Sequence, residues 1–311
     1  MEHLKSILAV VDRLDPGRKV VLKASVLARQ FGARVELFLC DSEQIFAIRH
    51  AYDRASAPAA LEHCLQLGRR YLESLRTGMA GDLAIDIHVS SVSPLYEAVI
   101  QRVHEIAPDL VLKGAQGPYD TTGQALDPND WLLARSCPVP LMITRGVPWA
   151  ARPRFAAAVD VSDPGAMKLP RSLVGTARYL ARGCHAGLDV IYSEAASDGP
   201  QVDTGARSLR QLAVECDLAP DSLRLLHGGV GQTLPACVRH QHYDVLFLGA
   251  LAREGEVPGL ISQLTSQVVD TLDCDMVLMK PPDTEREGWQ VTAQAVKAPE
   301  SDAAVLPVPR H

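Results

Sequence analysis

Two aspartates and two glycines stand where a parallel-sheet protein does its chemistry. Asp12 and Asp160 each follow an apolar run (ILAVV and FAAAV), and Gly114 and Gly249 each close another (LVLKG and LFLG). In an open parallel sheet, ligands enter outside the carboxyl ends of the strands, where strand order reverses. A glycine at such an end lets backbone amides approach a phosphate. An acidic residue paired with a glycine turn in this way suggests a nucleotide cleft. The same residues also fit a plain turn, because Asp15-Pro16-Gly17 and Asp163-Pro164-Gly165 are turn sequences that Asp12 and Asp160 can cap. The residue types alone leave both readings open.

Other chemistry-bearing groupings are weaker. HGGVGQT at 227–233 resembles a phosphate cradle, but a P-loop ends in Gly-Lys-Ser/Thr and here Gln232 precedes Thr233. The matching place earlier in the chain is SSVSP, ending at Pro94, which favours an ordinary strand-to-helix turn. His240 and His242 lie two residues apart and point to different faces of a helix, so they meet on one metal only if the helix has already ended. His63-Cys64 and Cys184-His185 are adjacent pairs whose side chains diverge, as on ordinary helix surfaces, and no nucleophile–base arrangement can be built from them. No metal site and no catalytic residue are expected.

The elements that must position these residues are written twice. AVVDRLDPG at 9–17 and AAVDVSDPG at 157–165 share six of nine letters, and APDLVLKGA at 107–115 matches HYDVLFLGA at 242–250. The offset is 148 at the aspartates (12 to 160) and 135 at the glycines (114 to 249), so the second copy is 13 residues shorter between the marks. In the first copy strands are expected at 7–11, 35–40, 83–89, 110–112 and 140–144, with helices near 18–31, 58–79, 94–106 and 128–136. Gly32 is placed to close the first helix, Ser93 to cap the third, and Pro94 to begin it. The second copy repeats the order, with strands at 155–161, 188–192, 223–226, 245–248 and 276–279 and helices near 166–182, 204–215, 233–241 and 259–272. Such alternation builds right-handed βαβ units into a mostly parallel sheet with helices on both faces.

Composition bounds the function. The chain of 311 residues is long enough for two domains, and its 47% apolar and 22% charged residues are ordinary globular usage. No apolar run reaches the roughly 18 residues that a membrane span requires. The opening MEHLKSILAVVDRLD lacks the basic flank and cleavage site of a signal peptide, so a cytoplasmic location is expected. A net charge of −6 leaves no electrostatic footprint for nucleic acid. Seven cysteines without a CxxC pair argue against a disulfide framework, and Cys137 and Cys274, each before the last apolar run of a copy, are expected as buried thiols. The Pro- and Arg-rich stretch RGVPWAARPR at 145–154 is the natural join. The polar tail from 283 has no sustained periodicity and is expected to be disordered.

On these residues the chain resembles the universal stress protein family, and most closely its E-type, in which two such domains are fused in tandem. The resemblance covers roughly residues 4–282. It rests on the strand-then-Asp at 7–12, LVLK at 110–113, DPNDWLLARSCPVPLMI at 127–143 and SQVVDTLDCDMVLMKP at 266–281. Its most specific piece is Asp130, Trp131, Leu132, Leu133, Arg135, Cys137, Pro138 and Pro140. The resemblance implies two Rossmann-like or flavodoxin-like domains, 1–147 and 155–282, each a five-stranded mostly parallel sheet, with a linker at 148–154 and a tail at 283–311. It also implies that the last strands of the two copies, PVPLMITR and DMVLMKPP, pair with each other to give an intramolecular pseudo-dimer, with further homodimerisation open.

ATP-binding members of the family carry a loop G-x2-G-x9-G-[ST] whose amides and hydroxyl hold phosphates, while the aspartate after the first strand holds adenosine. The first copy keeps Gly114 and Gly117 but has Asp127 and Pro128 where Gly and Ser or Thr are expected; the aspartate repels phosphate and the proline offers no amide. The second keeps Gly249 and Arg253, has Ala252 for the second glycine, and has Ser262-Gln263 at the last step, where Ser262 still supplies a hydroxyl. The expected function is therefore a stress-response role exercised by non-catalytic binding of a small, nucleotide-like ligand or a protein partner. ATP or another nucleotide would be held weakly, through Asp160, Gly249, Arg253 and Ser262 rather than Asp12, Gly114 and Gly117. The alternative is a slow nucleotide-hydrolysing or transferase enzyme using the second cleft, which lacks an obvious general base other than the aspartate itself.

Overall fold

The computed structural model describes residues 1, 3–13, 18–53, 55–79, 81, 83–115, 126–194, 204–250, 269 and 271–281. The described part of the first half runs β1 (Ser6–Val11), α1 (Lys19–Phe31), β2 (Arg34–Leu39), α2 (Ser42–Ala51), α3 (Ala57–Gly78), β3 (Ile85–Val89), α4 (Leu95–Ile106), β4 (Leu110–Gly114), α5 (Pro128–Ser136) and β5 (Leu141–Thr144). The second runs β6 (Arg154–Ala158), α6 (Lys168–Gly183), β7 (Gly187–Glu194), α7 (Thr204–Glu215), β8 (Leu223–His227), α8 (Val230–Gln241), β9 (Val245–Gly249) and β10 (Asp275–Met279). All ten strands join one sheet in the order β3-β2-β1-β4-β5-β10-β9-β6-β7-β8. The order is its own mirror image: five parallel strands, an antiparallel seam between β5 and β10 (Leu141 opposite Leu278, Ile143 opposite Met276), then the same five strands reversed. The tandem chain thus pairs its two last strands internally.

Burial explains why the runs form strands. β1, β5 and β10 are buried at every residue, as strands covered on both faces must be, whereas the outer strands β3 and β8 are only partly covered. One core layer packs α1, α3, α6 and α7 on the sheet through residues such as Leu27, Leu72, Val174 and Leu212; the other packs α2, α4, α5 and α8 through Ile45, Val99, Leu133 and Val238.

The duplication is visible in hydrogen bonds. Asp109 ties the start of β4 to the start of β1: its N–H donates to the Ser6 carbonyl at 3.0 Å, and its carboxylate accepts from the Lys5 and Ser6 amides at 2.8 and 2.9 Å. Asp244 does the same for β9 and β6, donating to the Arg154 carbonyl at 2.8 Å and accepting from the Ala150 and Arg154 amides at 2.9 and 2.8 Å. Ser6 to Arg154 is an offset of 148 and Asp109 to Asp244 one of 135, the two offsets of the sequence repeat.

The halves are joined by more than the seam. Lys23 of α1 and Asp275 at the start of β10, both buried, form an ion pair at 2.9 Å. Asp275 also accepts from Thr144 Oγ1 at 2.9 Å, the Arg145 amide at 2.8 Å and Trp149 Nε1 at 2.8 Å, and Lys23 Nζ lies 4.0 Å from the centre of the Trp149 ring. Burial lowers the Lys23 ammonium from its ordinary range, against the pull of Asp275. On the same layer Phe31 of α1 meets Tyr179 of α6, with ring centres 5.2 Å apart. Gly183 leaves room for Phe31, since a Cβ there would lie 2.2 Å from its ring.

Several expectations are corrected in detail. Pro94, not Ser93, occupies the cap position of α4, and the Ser93 hydroxyl instead meets Ser42 Oγ at 3.0 Å. Helix α2 was not expected, because only Ile45 and Ile48 of its ten residues are buried and the apolar stripe is too thin to read. α8 begins at Val230 rather than near 233, and β6 stops at Ala158, so Asp160 lies two residues past the strand. Cys64 faces the core rather than the helix surface. The expected helix at 259–272, apart from Val269 and the turn at 271–272, lies outside the described residues, as do the tail and the Asp15-Pro16-Gly17 turn.

Candidate functional site

Strand order reverses beside β1 in the first half and beside β6 in the second, so the crevices lie at the carboxyl ends of the pairs β1/β4 and β6/β9. The parallel registers, Val10 opposite Lys113 and Ala157 opposite Phe247, bring Asp12 and Gly114 to one crevice and Asp160 and Gly249 to the other. Gly117, Arg253 and Ser262 lie outside the described residues.

Asp160 is exposed and shapes its own turn: its Oδ1 accepts from the Ser162 amide at 3.1 Å and the Ser162 hydroxyl at 2.7 Å. Asp163 accepts from the Gly165 amide at 2.7 Å and opens a one-turn 3-10 helix, Pro164–Ala166, ahead of α6. Gly249 packs beneath α6, where a Cβ would lie 2.9 Å from Leu169 Cδ2, the far end of a flexible side chain.

The first crevice is filled by charges, of which the sequence marked Asp127 as repelling phosphate but did not show the ion cluster it belongs to. Lys113, the penultimate residue of β4, is buried, and its Nζ pairs with Asp130, which is fully buried, and with Asp127 Oδ2 at 3.8 Å. Asp127 caps α5, accepting from the Asp130 amide at 2.8 Å, while the Asp130 carboxylate accepts from the Asp127 amide at 3.3 Å; Pro128 follows at the first helical position. Burial alone would push the Lys113 ammonium down, but Asp130, Asp127 and, more distantly, Asp12 raise it on balance, so it stays charged. Burial raises the Asp130 carboxyl even though Lys113 opposes that shift. Across the crevice Arg13 meets Asp41 at 2.8 Å, and burial raises the Asp41 carboxyl, with Arg13 opposing and Asp12 adding to the shift. Asp12, Asp41, Asp127 and Asp130 therefore face Arg13 and Lys113, an excess of negative charge with the buried lysine already neutralised. In the second half the repeat places Leu248 where Lys113 stands.

Two sequence signals could have exposed this cluster: a lysine ending an apolar strand (LVLK), and Asp-Pro-x-Asp, which reads as a helix cap with an acidic partner three residues on.

The remaining motifs stand apart from the crevices. HGGVGQT joins the outermost strand β8 to α8, with the Gly228 amide donating to the Glu194 carbonyl at 2.8 Å and Thr233 Oγ1 lying 2.7 Å from Ser193 Oγ. His240 is in α8, His242 lies just past its end with φ 53°, and both are exposed. Among the described residues no three His, Cys, Asp or Glu side chains gather to hold a metal, and no helix is long and apolar enough to cross a membrane. Burial raises the thiols of Cys137 and Cys274 to about 11 and about 12, so neither is a ready nucleophile.

Residues 3–145 match the model of the universal stress protein family. Over 301 residues the chain is 21% identical to universal stress protein E of Escherichia coli (strain K12), covering 90% of this chain and 95% of the relative. It is 23% identical to universal stress protein E of Photorhabdus laumondii, covering 96% of this chain and 100% of the relative. Among solved structures, a universal stress protein from Archaeoglobus fulgidus DSM 4304 superposes with a TM-score of 0.63 at 10% identity, covering 92% of this chain and 100% of that one. One from Pseudomonas aeruginosa UCBPP-PA14 superposes with a TM-score of 0.68 at 22% identity, covering 91% and 95%.

Proposed function

We propose that this chain, which belongs to the universal stress protein family, acts in the stress response as a non-catalytic binding protein whose two crevices have unequal roles. Residues 1–147 and 155–282 form its two domains. The second domain holds a small nucleotide-like ligand weakly, beside Asp160 and Gly249, with Arg253 and Ser262 completing the site. The first has closed its crevice with its own ions. The observation that carries this reading is the buried Lys113–Asp130 pair with Asp127 beside it, at the carboxyl end of β4 where the family's loop would present phosphate donors. A phosphate arriving there meets carboxylates in a poorly solvated setting, where like-charge repulsion is strongest.

Titration of the full chain with ATP in a calorimeter tests the reading. At most one equivalent binds, Asp160→Ala abolishes the heat, and Asp12→Ala leaves it unchanged. Two equivalents, or equal losses from the two substitutions, would overturn the asymmetry. Magnesium-dependent phosphate release that Asp160→Ala removes would make the second crevice an enzyme instead.

A further inference from the structure

At the opposite end of the sheet, where β9 and β10 begin, the segment after β5 and the last turn of α8 line an open cavity of about 390 Å³. Small-molecule sites span about 300–1,000 Å³. Its apolar wall is formed by Val147, Trp149, Val238 and Tyr243. Trp149 is held in place before any ligand arrives, by its Nε1 bond to Asp275, by Phe155 edge-on at 5.3 Å and by Lys23 over its face. Val147 is 57% exposed, an apolar side chain that a ligand would cover.

The charges around this wall divide into two kinds. Asp244 and Asp275 are already matched, the first by the Ala150 and Arg154 amides and the second by Lys23, Thr144, the Arg145 amide and Trp149. Arg239, His242 and Asp273 also line the cavity and are exposed; among the described residues their side chains make no hydrogen bond or ion pair. A guanidinium and an imidazole suit a carboxylate, a lone aspartate suits an ammonium, and the aromatic wall suits an apolar body.

We propose that this cavity is a second binding site, separate from the crevices, for a zwitterionic small molecule with an apolar body, in chemical class a free α-amino acid with an aromatic or aliphatic side chain. Arg239, with His242 beside it, takes the carboxylate; Asp273 takes the ammonium; Trp149 and Tyr243 flank the side chain. The assignment does not depend on nucleotide binding, because none of these residues touches Asp160 or Gly249.

The test titrates the full chain with L-phenylalanine and L-leucine, and with phenylacetate and phenethylamine, which each lack one of the two charges, following amide and tryptophan signals by NMR. Saturable one-to-one binding of an amino acid is expected, at least about tenfold weaker for each single-charge analogue. The same loss is expected in Arg239→Gln and in Asp273→Asn, both at exposed positions that leave the fold intact. Absence of saturable binding by both amino acids overturns the site. Phenylacetate binding as tightly as phenylalanine, with Asp273→Asn unchanged, overturns the zwitterion and leaves a site for simple organic anions.

Discussion

The two ends of β4 and its counterpart β9 have had different histories. At their amino ends Asp109 and Asp244 each bond both the amide and the carbonyl of the matching residue in the first strand of their half, Ser6 and Arg154, at nearly the same distances. At their carboxyl ends one half has Lys113 locked to Asp130 and the other has Leu248. The duplicated fold has kept the residues that set strand register, because a slip of one position turns every side chain to the wrong layer. It has let the ligand end diverge, because nothing in the packing of the sheet requires the same chemistry there twice.

The joint should break that comparison most severely, since it belongs to both halves. Asp275→Ala leaves Lys23 buried without its partner and removes acceptors from Thr144, Arg145 and Trp149. Removing one partner of a buried pair costs about 3–5 kcal/mol, and urea denaturation should find a loss toward the upper end, with both halves destabilised together. Adding Lys23→Met should recover a good part of it.

Next in size, Lys113→Leu gives the first half the residue of the second. Asp130 is then buried beside Asp127 with no cation, at a cost of about 3 kcal/mol, and Asp130→Asn in the same background should return more than half of it. If Lys113→Leu alone proved neutral, the cluster would be solvated and the crevice open, and the inequality of the two crevices would fall with it. The matched aspartates sharpen the comparison from the other side. Asp109→Ala and Asp244→Ala should each cost about 2–3 kcal/mol for lost bonds to a charged acceptor and should agree within about 1 kcal/mol. A large difference would mean that the two ties are not equivalent.

What could be read from the chain beforehand follows the same division. The strands, most of the helices and the duplication were legible because buried parallel strands are continuous apolar runs that recur at fixed offsets, whereas the seam between the two last strands came from the family resemblance. α2 was not, since a helix that buries only Ile45 and Ile48 leaves almost no periodic trace. Asp12 and Asp160 were found as residues after strands, but the meeting of Arg13, Asp41, Lys113 and Asp130 beside Asp12 was not, because the cluster is assembled from the ends of four elements, and LVLK and Asp-Pro-x-Asp each betray only one local piece of it. Lys23 was hidden for a related reason: a lysine on the apolar stripe of α1 reads as a boundary residue until Asp275, 252 positions away, is known to face it.

The smallest effect concerns pH and should also separate the halves. His88 on β3 stacks against Phe38, ring centres 5.6 Å apart and nearly parallel. Burial lowers its pKa below the ordinary 6.5, and the nearby Arg102 and Arg69 lower it further, against Glu36 and Glu105. The unfolded chain therefore binds this proton more readily than the folded one. The stability that His88 contributes is fully present above pH 6.5 and is lost as pH falls through that value toward the depressed folded-state pKa. The described histidines of the second half, His185, His227, His240 and His242, are all exposed. Because His88 is only partly buried, the change between pH 7.5 and 5.5 should be below about 1 kcal/mol. His88→Gln should flatten the dependence of the urea midpoint on pH, and hydrogen exchange should place the acid-sensitive protection on β2 and β3 rather than on β7 and β8. An equal loss of protection on both outer edges would trace the acid response to the shared joint instead.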